Sequence, residues 1–252
     1  MAKLQTVRRV EPRVYPVGRA VVLHGFGEPD LAGRRYSIEG RRVQSVLFGR
    51  LALLIAYVDQ AGYAPVELER RRDDRTWLST EARFHERVAA RASAHGAFVP
   101  ARLLNVFPHR IALDEAAAEY GARWSRSLTK FADKREFALH VFAGPHAAPG
   151  GESYLLRVAA HASRTVRRIP LKASDAIVAQ VGDLWRGCAR HASAVRRVEG
   201  VPARGLLGSS VYLVAEREAE SVPLLVTKAA IAGAELGLTY YLEGPRAPFS
   251  FV

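Results

Sequence analysis

The side chains that could perform acid–base or metal chemistry are eight histidines, one cysteine and an adjacent pair of aspartates. Asp73 and Asp74 could form a paired-carboxylate site, but they follow a run of arginines and are interpreted as members of surface ion pairs. Folding could bring His140 and His161 together, yet the sequence offers no third group to orient them. Because Cys188 is the only cysteine, an internal disulfide and a multi-cysteine metal site are excluded. We therefore expect no catalytic residue, no cofactor and no metal site.

The chain contains no phosphate-binding Walker loop, dinucleotide glycine fingerprint, zinc-protease motif or nucleophile elbow. The segment Gly25-Phe26-Gly27 lacks a third glycine and is predicted to be a turn. His85 lies on the apolar stripe of a predicted helix, and no second histidine or carboxylate accompanies it at metal-ligand spacing. We predict a buried or rim histidine there. An enzyme with an unfamiliar site stays open as a third interpretation, which a cluster of histidines or carboxylates in a deep pocket would favour.

The net charge of +12 and the isoelectric point near 10.3 favour acidic partners. A basic nucleic-acid-binding module is therefore the alternative function. No nucleic-acid motif accompanies the charge, and the stacking aromatic residues of an RNA-recognition strand are missing. An arginine-rich surface without such a function also explains the charge, because the arginines are scattered in short clusters: Arg8-Arg9, Arg34-Arg35, Arg41-Arg42, Arg70-Arg71-Arg72, Arg167-Arg168 and Arg196-Arg197.

The overall composition is that of a globular protein, with 49% hydrophobic and 25% charged residues in 252 positions. The sequence has no apolar run of the roughly 18 residues needed to span a bilayer, and its basic first residues are not followed by the apolar core of a secretory signal. We expect a cytoplasmic protein without a membrane partner.

The hydrophobic periodicity predicts an α+β fold in two domains. After a flexible lead-in over 1–12, an N-terminal α+β domain is assigned to 13–134. A continuously apolar run from Leu51 to Tyr57 is typical of a strand that is covered on both faces. The elements predicted in this domain are a strand over 14–24, two β runs within 42–57 broken at 48–50, a helix over 76–96, and an amphipathic helix for which Asp114 is the N-cap candidate.

The C-terminal domain is assigned to 135–252 and is predicted to be ferredoxin-like. The order of its elements is strand, helix, strand, strand, helix, strand, which is the βαββαβ pattern of four antiparallel strands with the helices on one face. The corresponding ranges are 136–143, 173–195, 198–201, 209–215, 222–236 and 238–243. Gly244 and Pro245 are predicted to end the last strand.

The residues after this last strand are unusually apolar for a chain end, because Phe249 and Phe251 lie in the last four positions. Two interpretations stay open. The tail either docks on the protein's own core, or part of it is a contact surface for a partner. The candidate partner-binding residues are Tyr240, Arg246, Phe249 and Phe251, with Arg246 available to bind a carboxylate.

The segment from Glu243 to Val252 resembles the end of the gas vesicle protein F/L family. That family closes with a strand, Gly-Pro, tryptophan, Pro-Pro and Tyr-Ser-Phe, and here Arg246 replaces the tryptophan, Ala247 the first proline and Phe249 the tyrosine. Weaker matches occur earlier in the chain, at Pro100, Arg102, Val106 and Phe107, at the strand that begins Glu136-Phe137, and at the Tyr212-Leu213-Val214 strand.

The resemblance implies a non-enzymatic accessory structural or assembly protein of gas vesicles. Its partners would be the major hydrophobic shell protein and other gas vesicle accessory proteins, and it would be found in the cytoplasm and at the gas vesicle. A shell subunit exposes apolar surface before assembly, and a βαββαβ domain could cover that surface through a groove or a sheet edge. No nucleic-acid partner is expected under this interpretation.

Overall fold

The protein is described here by a computed structural model that covers residues 18–144, 174–198 and 205–251. The predicted lead-in over 1–12 lies outside these residues. Within them the strands form two antiparallel sheets, and helices pack against both sheets, which is the α+β class expected from the sequence. None of the helices in these ranges has the length and apolar character needed to cross a bilayer.

The first sheet has the strand order β2-β3-β4-β1-β5, and β6 also pairs with β1. Its elements and the helices that accompany them are β1 (Arg19–Gly27), β2 (Arg35–Ile38), β3 (Arg41–Phe48), β4 (Leu51–Asp59), α1 (Pro65–Arg70), α2 (Arg75–Ser93), β5 (Phe98–Pro100), β6 (Val106–Phe107) and α3 (Arg110–Phe131).

The central strand β4 of this sheet is buried on both faces, as its continuous apolar run predicts. On one face Leu54 packs with Phe84 of α2, in a cluster that we call the α2-side core. On the other face Leu53 packs with Leu113 of α3, in the α3-side core. Side chains alternate between the faces of a strand, so a strand that lies between two helical layers must be apolar at every position.

The second sheet has the strand order β10-β7-β9-β8, with every neighbouring pair antiparallel. Helices α4 and α5 both pack on the same face of this sheet, in a cluster that we call the third core. The elements are β7 (Lys134–Ala143), α4 (Asp175–His191), β8 (Ala192–Val198), β9 (Leu206–Ala215), α5 (Ser221–Gly233) and β10 (Leu238–Arg246).

The prediction of a turn at Gly25-Phe26-Gly27 is wrong, because these residues form the end of β1 and pair with both β4 and β5. A Cβ atom on Gly25 would lie 2.4 Å from the backbone carbonyl oxygen of Val99. Glycine is therefore required here by the close approach of β5 and not by a turn.

Three predicted element boundaries are also wrong. The helix predicted over 173–195 ends at His191, since the following residues pair with β9 as strand β8. Helix α3 begins at Arg110 with His109 as its N-cap, and Asp114 lies one turn inside the helix, where its carboxylate accepts a hydrogen bond from Arg110. Strand β10 does not end before Gly244, because a bulge absorbs Gly244 and Pro245 and pairing resumes between Arg246 and Glu136.

Candidate partner-binding site

The segment that follows β10, residues 247–251, lies against the first sheet and its helices, and we call it the tail. Ala247 is buried in the α2-side core, and the Phe249 ring packs there with its centroid 5.5 Å from that of His85. Phe251 packs against the α3-side core, whose members include Leu213 of the second sheet. The tail therefore contacts both cores of the first sheet, which is the internal docking that the sequence left as one of two interpretations.

The tail is held in place by the carboxylate of Glu136, which is completely buried on β7. One of its oxygens lies 3.0 Å from Nε and 2.9 Å from Nη2 of Arg246. Ser250 donates to both oxygens, from its backbone nitrogen at 2.6 Å and from its hydroxyl at 3.0 Å. The buried negative charge is thus neutralised by a guanidinium and bound by two further donors, as buried carboxylates require.

Arg246 is committed to its own chain. Besides Glu136, its guanidinium contacts the Glu243 carboxylate at 2.8 Å, and only 16% of its side chain is exposed. The sequence made Arg246 a candidate to bind a carboxylate of another protein. In the structure it already binds two carboxylates of its own chain.

Phe249 and Phe251 are each partly exposed. The guanidinium carbon of Arg196, on β8, lies 5.3 Å from the centre of the Phe251 ring, within the range of a cation–π contact. The two phenylalanines thus pack on the protein's own cores and leave part of their apolar surface exposed to solvent.

Tyr240 lies apart from the other three candidate residues. It packs against the third core, on the face of the second sheet that α4 and α5 cover, and a Cβ atom on Gly233 would lie 2.5 Å from its hydroxyl. Burial raises the pKa of Tyr240. Arg246, Phe249 and Phe251 thus lie in one short segment, with the two rings in different cores of the first sheet, and Tyr240 lies apart from them.

Beneath the tail lies a pair of buried histidines, His24 on β1 and His85 on α2, whose Nδ1 atoms are 3.0 Å apart. His85 Nε2 is 3.0 Å from the carbonyl oxygen of Ala101, so it must carry a proton and donate it. His85 Nδ1 is then an acceptor, and His24 Nδ1 donates to it. Two neutral rings satisfy this arrangement.

The pair is held in its neutral form by its surroundings. Burial lowers the pKa of His24 well below its ordinary value, and the nearby charges of His85 and Arg41 lower it further. Burial also lowers the pKa of His85 to about 4, against the opposing effect of its hydrogen bond to Ala101. If His85 were protonated at Nδ1, its N–H group and the Nδ1–H group of His24 would point at each other, and neither could accept a hydrogen bond.

Arg41 of β3 is the positive charge nearest to this pair. It donates to both carboxylate oxygens of Glu81, at 2.9 and 3.0 Å, and its guanidinium lies 3.7 Å from the centre of the Phe84 ring. Its charge is therefore balanced by Glu81, and the histidines contribute no charge of their own. The group is a packed polar cluster within the α2-side core.

Of the other candidates for chemistry, Asp73 and Asp74 are exposed, and Asp74 is the N-cap of α2, where it accepts a hydrogen bond from the backbone nitrogen of Trp77. His161 lies outside the described residues, and His140 and Cys188 are buried. His140 Nδ1 lies 2.7 Å from the Ser209 hydroxyl, and both side chains are buried. Burial raises the pKa of the Cys188 thiol to about 11, which keeps it protonated. In the described ranges no three side chains among His, Cys, Asp and Glu are grouped so that they could hold a metal ion.

The sequence prediction for His85 is confirmed, since it is buried. His24, Glu136 and Ser250 were not singled out from the sequence. A signal existed for Glu136, because a carboxylate within the apolar strand β7 requires an internal partner. The sequence contained no signal that the partners would be Arg246 and Ser250.

Comparison with known proteins shows the family to which this chain belongs. Residues 22–252 match the family model described as gas vesicle synthesis protein GvpL/GvpF. The chain belongs to the GvpL/GvpF family. The match covers both sheets and includes the tail, so the Glu136–Arg246–Ser250 contacts lie within the region that matches the GvpL/GvpF model.

Individual relatives agree with this assignment. The chain is 26% identical over 233 residues to gas vesicle protein L of Streptomyces sp. (strain CB03234), an alignment that covers 86% of this chain and 85% of that protein. Two crystal structures share its fold. The GvpF structure from Anabaena sp. PCC7120 has a TM-score of 0.62 at 13% identity, and the GvpF structure from Microcystis aeruginosa has a TM-score of 0.59 at 14% identity. Each alignment covers 92% of this chain and 98% of the other.

Proposed function

We propose that this protein is a non-enzymatic accessory structural or assembly protein of gas vesicles that binds the hydrophobic shell subunit. The observation that carries the proposal is the match to the gas vesicle synthesis family over residues 22–252. Its other partners would be further gas vesicle accessory proteins, and it would act in the cytoplasm, at the growing vesicle.

The proposed contact is made by the tail. An unassembled shell subunit exposes apolar surface, and a partner that covers this surface would prevent its aggregation. Phe249 and Phe251 are both partly exposed, and the Glu136–Arg246 ion pair keeps the tail ordered before binding. An ordered apolar surface loses little conformational freedom on binding, which favours affinity. We retain Tyr240 as a separate candidate on the second sheet.

The non-enzymatic part of the proposal is supported by the burial of four side chains that could act as acids, bases or nucleophiles. His24, His85, His140 and Cys188 are all buried, so a substrate could not reach them without opening the cores.

We also propose that the chain is built as two domains, with the boundary near residue 134 and a ferredoxin-like unit after it. The strand order β10-β7-β9-β8, the antiparallel pairing and the packing of α4 and α5 on one face support this interpretation. The tail would then belong to the second domain by sequence while it packs on the first.

The experiment that tests the function is co-purification with the shell subunit after co-expression in a bacterial host, with a nuclease-treated sample and a high-salt wash. Retention of the shell subunit through both treatments supports the proposal, because apolar contacts are insensitive to salt. Recovery of nucleic acid without shell subunit would overturn it and favour the basic nucleic-acid-binding alternative.

The contact itself is tested with the double variant Phe249→Ser/Phe251→Ser, which should lose the shell subunit and keep the wild-type circular dichroism spectrum. The matched control is Val66→Ser, which changes a residue of α1 that is 79% exposed and should retain the shell subunit. If the double variant unfolds, the tail is part of the core only.

A further inference from the structure

Strand β8 forms one edge of the second sheet and is unusually exposed. Within the described ranges it pairs with β9 alone, so its outer edge offers unpaired backbone donors and acceptors. Four of its seven residues are exposed, and Val195 has 42% of its surface open to solvent. Neither proline nor glycine interrupts the strand. These are the properties of an edge that can accept another strand.

The other sheet edges are less suited to accept an additional strand. Strand β2 has only four residues. On the opposite side of the first sheet, β5 ends in Pro100 and β6 has two residues. Strand β10 is buried or half-buried up to Gly244 and Pro245. Short strands and prolines are common protections against unwanted pairing, and β8 has neither.

Two adjacent arginines in the second half of β8 give this edge a strong positive charge. Arg196 lies against the Phe251 ring and Arg197 against the Trp185 ring, with distances of 5.3 and 5.5 Å from the guanidinium carbon to the ring centre. Because neighbouring residues of a strand point to opposite faces of the sheet, the two guanidinium groups lie on opposite faces of the sheet at this edge. The aromatic rings restrict both side chains to positions beside the edge.

Neither arginine is neutralised by its neighbours on the sheet. Their cross-strand partners on β9 are Val211 and Ser210, which carry no charge. Across the residues that the structure describes, no carboxylate lies within ion-pair distance of Arg196 or Arg197, whereas Arg135 on β7 is paired with Glu216. Like charges on adjacent strands are destabilising, so a second copy of β8 is a poor occupant of this edge.

We propose that the free edge of β8 is a docking surface for an extended acidic segment of a partner protein, which adds to the second sheet as a further strand. Carboxylates on the two faces of the incoming strand meet Arg196 and Arg197, and an apolar side chain lies beside Val195. This surface adjoins the tail at Arg196, which lies against the Phe251 ring, but the incoming strand pairs with the backbone of β8 and not with the tail.

The probe is a fluorescein-labelled short peptide with a central Glu–Glu pair flanked by threonines and valines. Fluorescence anisotropy with the full chain should show binding that weakens as salt is raised. The same peptide with a Lys–Lys centre should not bind. A version with methylated backbone nitrogens should also fail, because strand addition needs the backbone N–H groups.

The charge requirement is tested with Arg196→Glu/Arg197→Glu, which should weaken peptide binding by about tenfold or more. The matched control is Arg35→Glu/Arg42→Glu, a pair of exposed arginines on β2 and β3, which should leave binding unchanged. Arg196→Gln/Arg197→Gln removes the charge without reversing it, and it should give an intermediate loss in a protein that remains folded.

Equal weakening of peptide binding by the control variant Arg35→Glu/Arg42→Glu would overturn the proposal, since the loss would then follow from the net charge of the protein. So would full binding of the backbone-methylated peptide or of the Lys–Lys peptide. Tighter binding of a single-stranded oligonucleotide at the same arginines, with displacement of the acidic peptide, would assign the edge to nucleic acid. Shell subunit capture is measured separately, so failure here leaves the function proposed above untouched.

Discussion

At the scale of single residues, Glu136 shows how a buried charge determines the path of the chain after β10. An ionised carboxylate inside a protein is tolerated only when opposite charge and hydrogen-bond donors surround it. Arg246 and Ser250 provide these, at sequence separations of 110 and 114 residues. Residues that are far apart in the chain therefore specify one position for the tail.

Glu136→Gln should destabilise the protein by about 3–5 kcal/mol, because it leaves the Arg246 guanidinium without its buried counter-charge. Chemical denaturation measures the loss. The matched control is Glu216→Gln, which breaks the exposed ion pair with Arg135 one position away on β7 and should cost no more than about 1 kcal/mol. Equal losses in the two variants would show that the Glu136 contacts do not hold the tail.

The buried histidine pair predicts a loss of stability in mild acid. The folded-state pKa of His85 is about 4, below its ordinary value of 6.5, so the unfolded state binds more protons between these values. Stability is then fully present above pH 6.5 and decreases as the pH falls towards 4. By pH 5 the loss from His85 is about 2 kcal/mol, and the lowered pKa of His24 adds to it.

Unfolding free energies measured from pH 7 to pH 5 test this expectation. Hydrogen bonds from Arg70 and Arg71 lower the pKa of Glu67 to about 2, so that carboxylate does not titrate in this window. The exposed His95→Gln variant is the control and should keep the wild-type slope. A flat profile for the wild type would mean that the pair is not buried in its neutral form.

At the scale of elements, the bulge in β10 turns the chain from the second sheet towards the first. Gly244 adopts a φ of +120°, and a Cβ atom there would lie 2.5 Å from the backbone carbonyl oxygen of Glu136. Glycine alone combines this backbone conformation with so close an approach. The bulge places Arg246 beside Glu136, where pairing with β7 resumes.

Gly244→Ala should therefore cost about 2–4 kcal/mol, from backbone strain and from overlap with β7. Gly121→Ala is the opposite case, because Gly121 lies inside α3 and no atom lies within 4 Å of the position that the added methyl group would take. It should stabilise the protein by about 0.5–1 kcal/mol, the helix preference for alanine. Thermal melts of both variants show whether each substitution stabilises or destabilises the protein. A Gly244→Ala protein as stable as the wild type would contradict the requirement for glycine at the bulge.

At the scale of the whole molecule, the tail connects the two sheets. It leaves β10 of the second sheet, contacts the α2-side core through Ala247 and Phe249, and reaches the α3-side core through Phe251. The α3-side core also contains Leu213 of β9, so the second sheet contributes a side chain to the packing of the first. Stability of the first sheet should therefore depend on residues at the other end of the sequence.

A chain that ends after Arg246 should show faster amide hydrogen exchange in α2, around Phe84 and His85, because the side chains that cover this helix are gone. A chain shortened by Val252 alone is the control and should exchange like the wild type. If the faster exchange were confined to β10, the tail would have no part in stabilising the first sheet.

The sequence by itself determined the types of most elements and the buried faces. The apolar run in β4 and the helical stripe of α2 follow from local periodicity, which reports burial without naming the partner. Strand β7 is buried on both faces, at Glu136 and His140 as well, although its apolar and polar residues alternate. The apolar tail and its family resemblance were also visible in the residues, and the family match over residues 22–252 confirms the resemblance.

Only the tertiary structure decided which segments cover one another. The Glu136–Arg246–Ser250 contacts and the His24–His85 pair join residues 61 to 114 positions apart, and no local pattern encodes such a distance. At Gly25, pairing with the distant strand β5 overrode local preference, and after His191 pairing with the next strand, β9, did so. Periodicity indicates that a side chain is buried, and the packing of the whole chain decides which residues it is buried against.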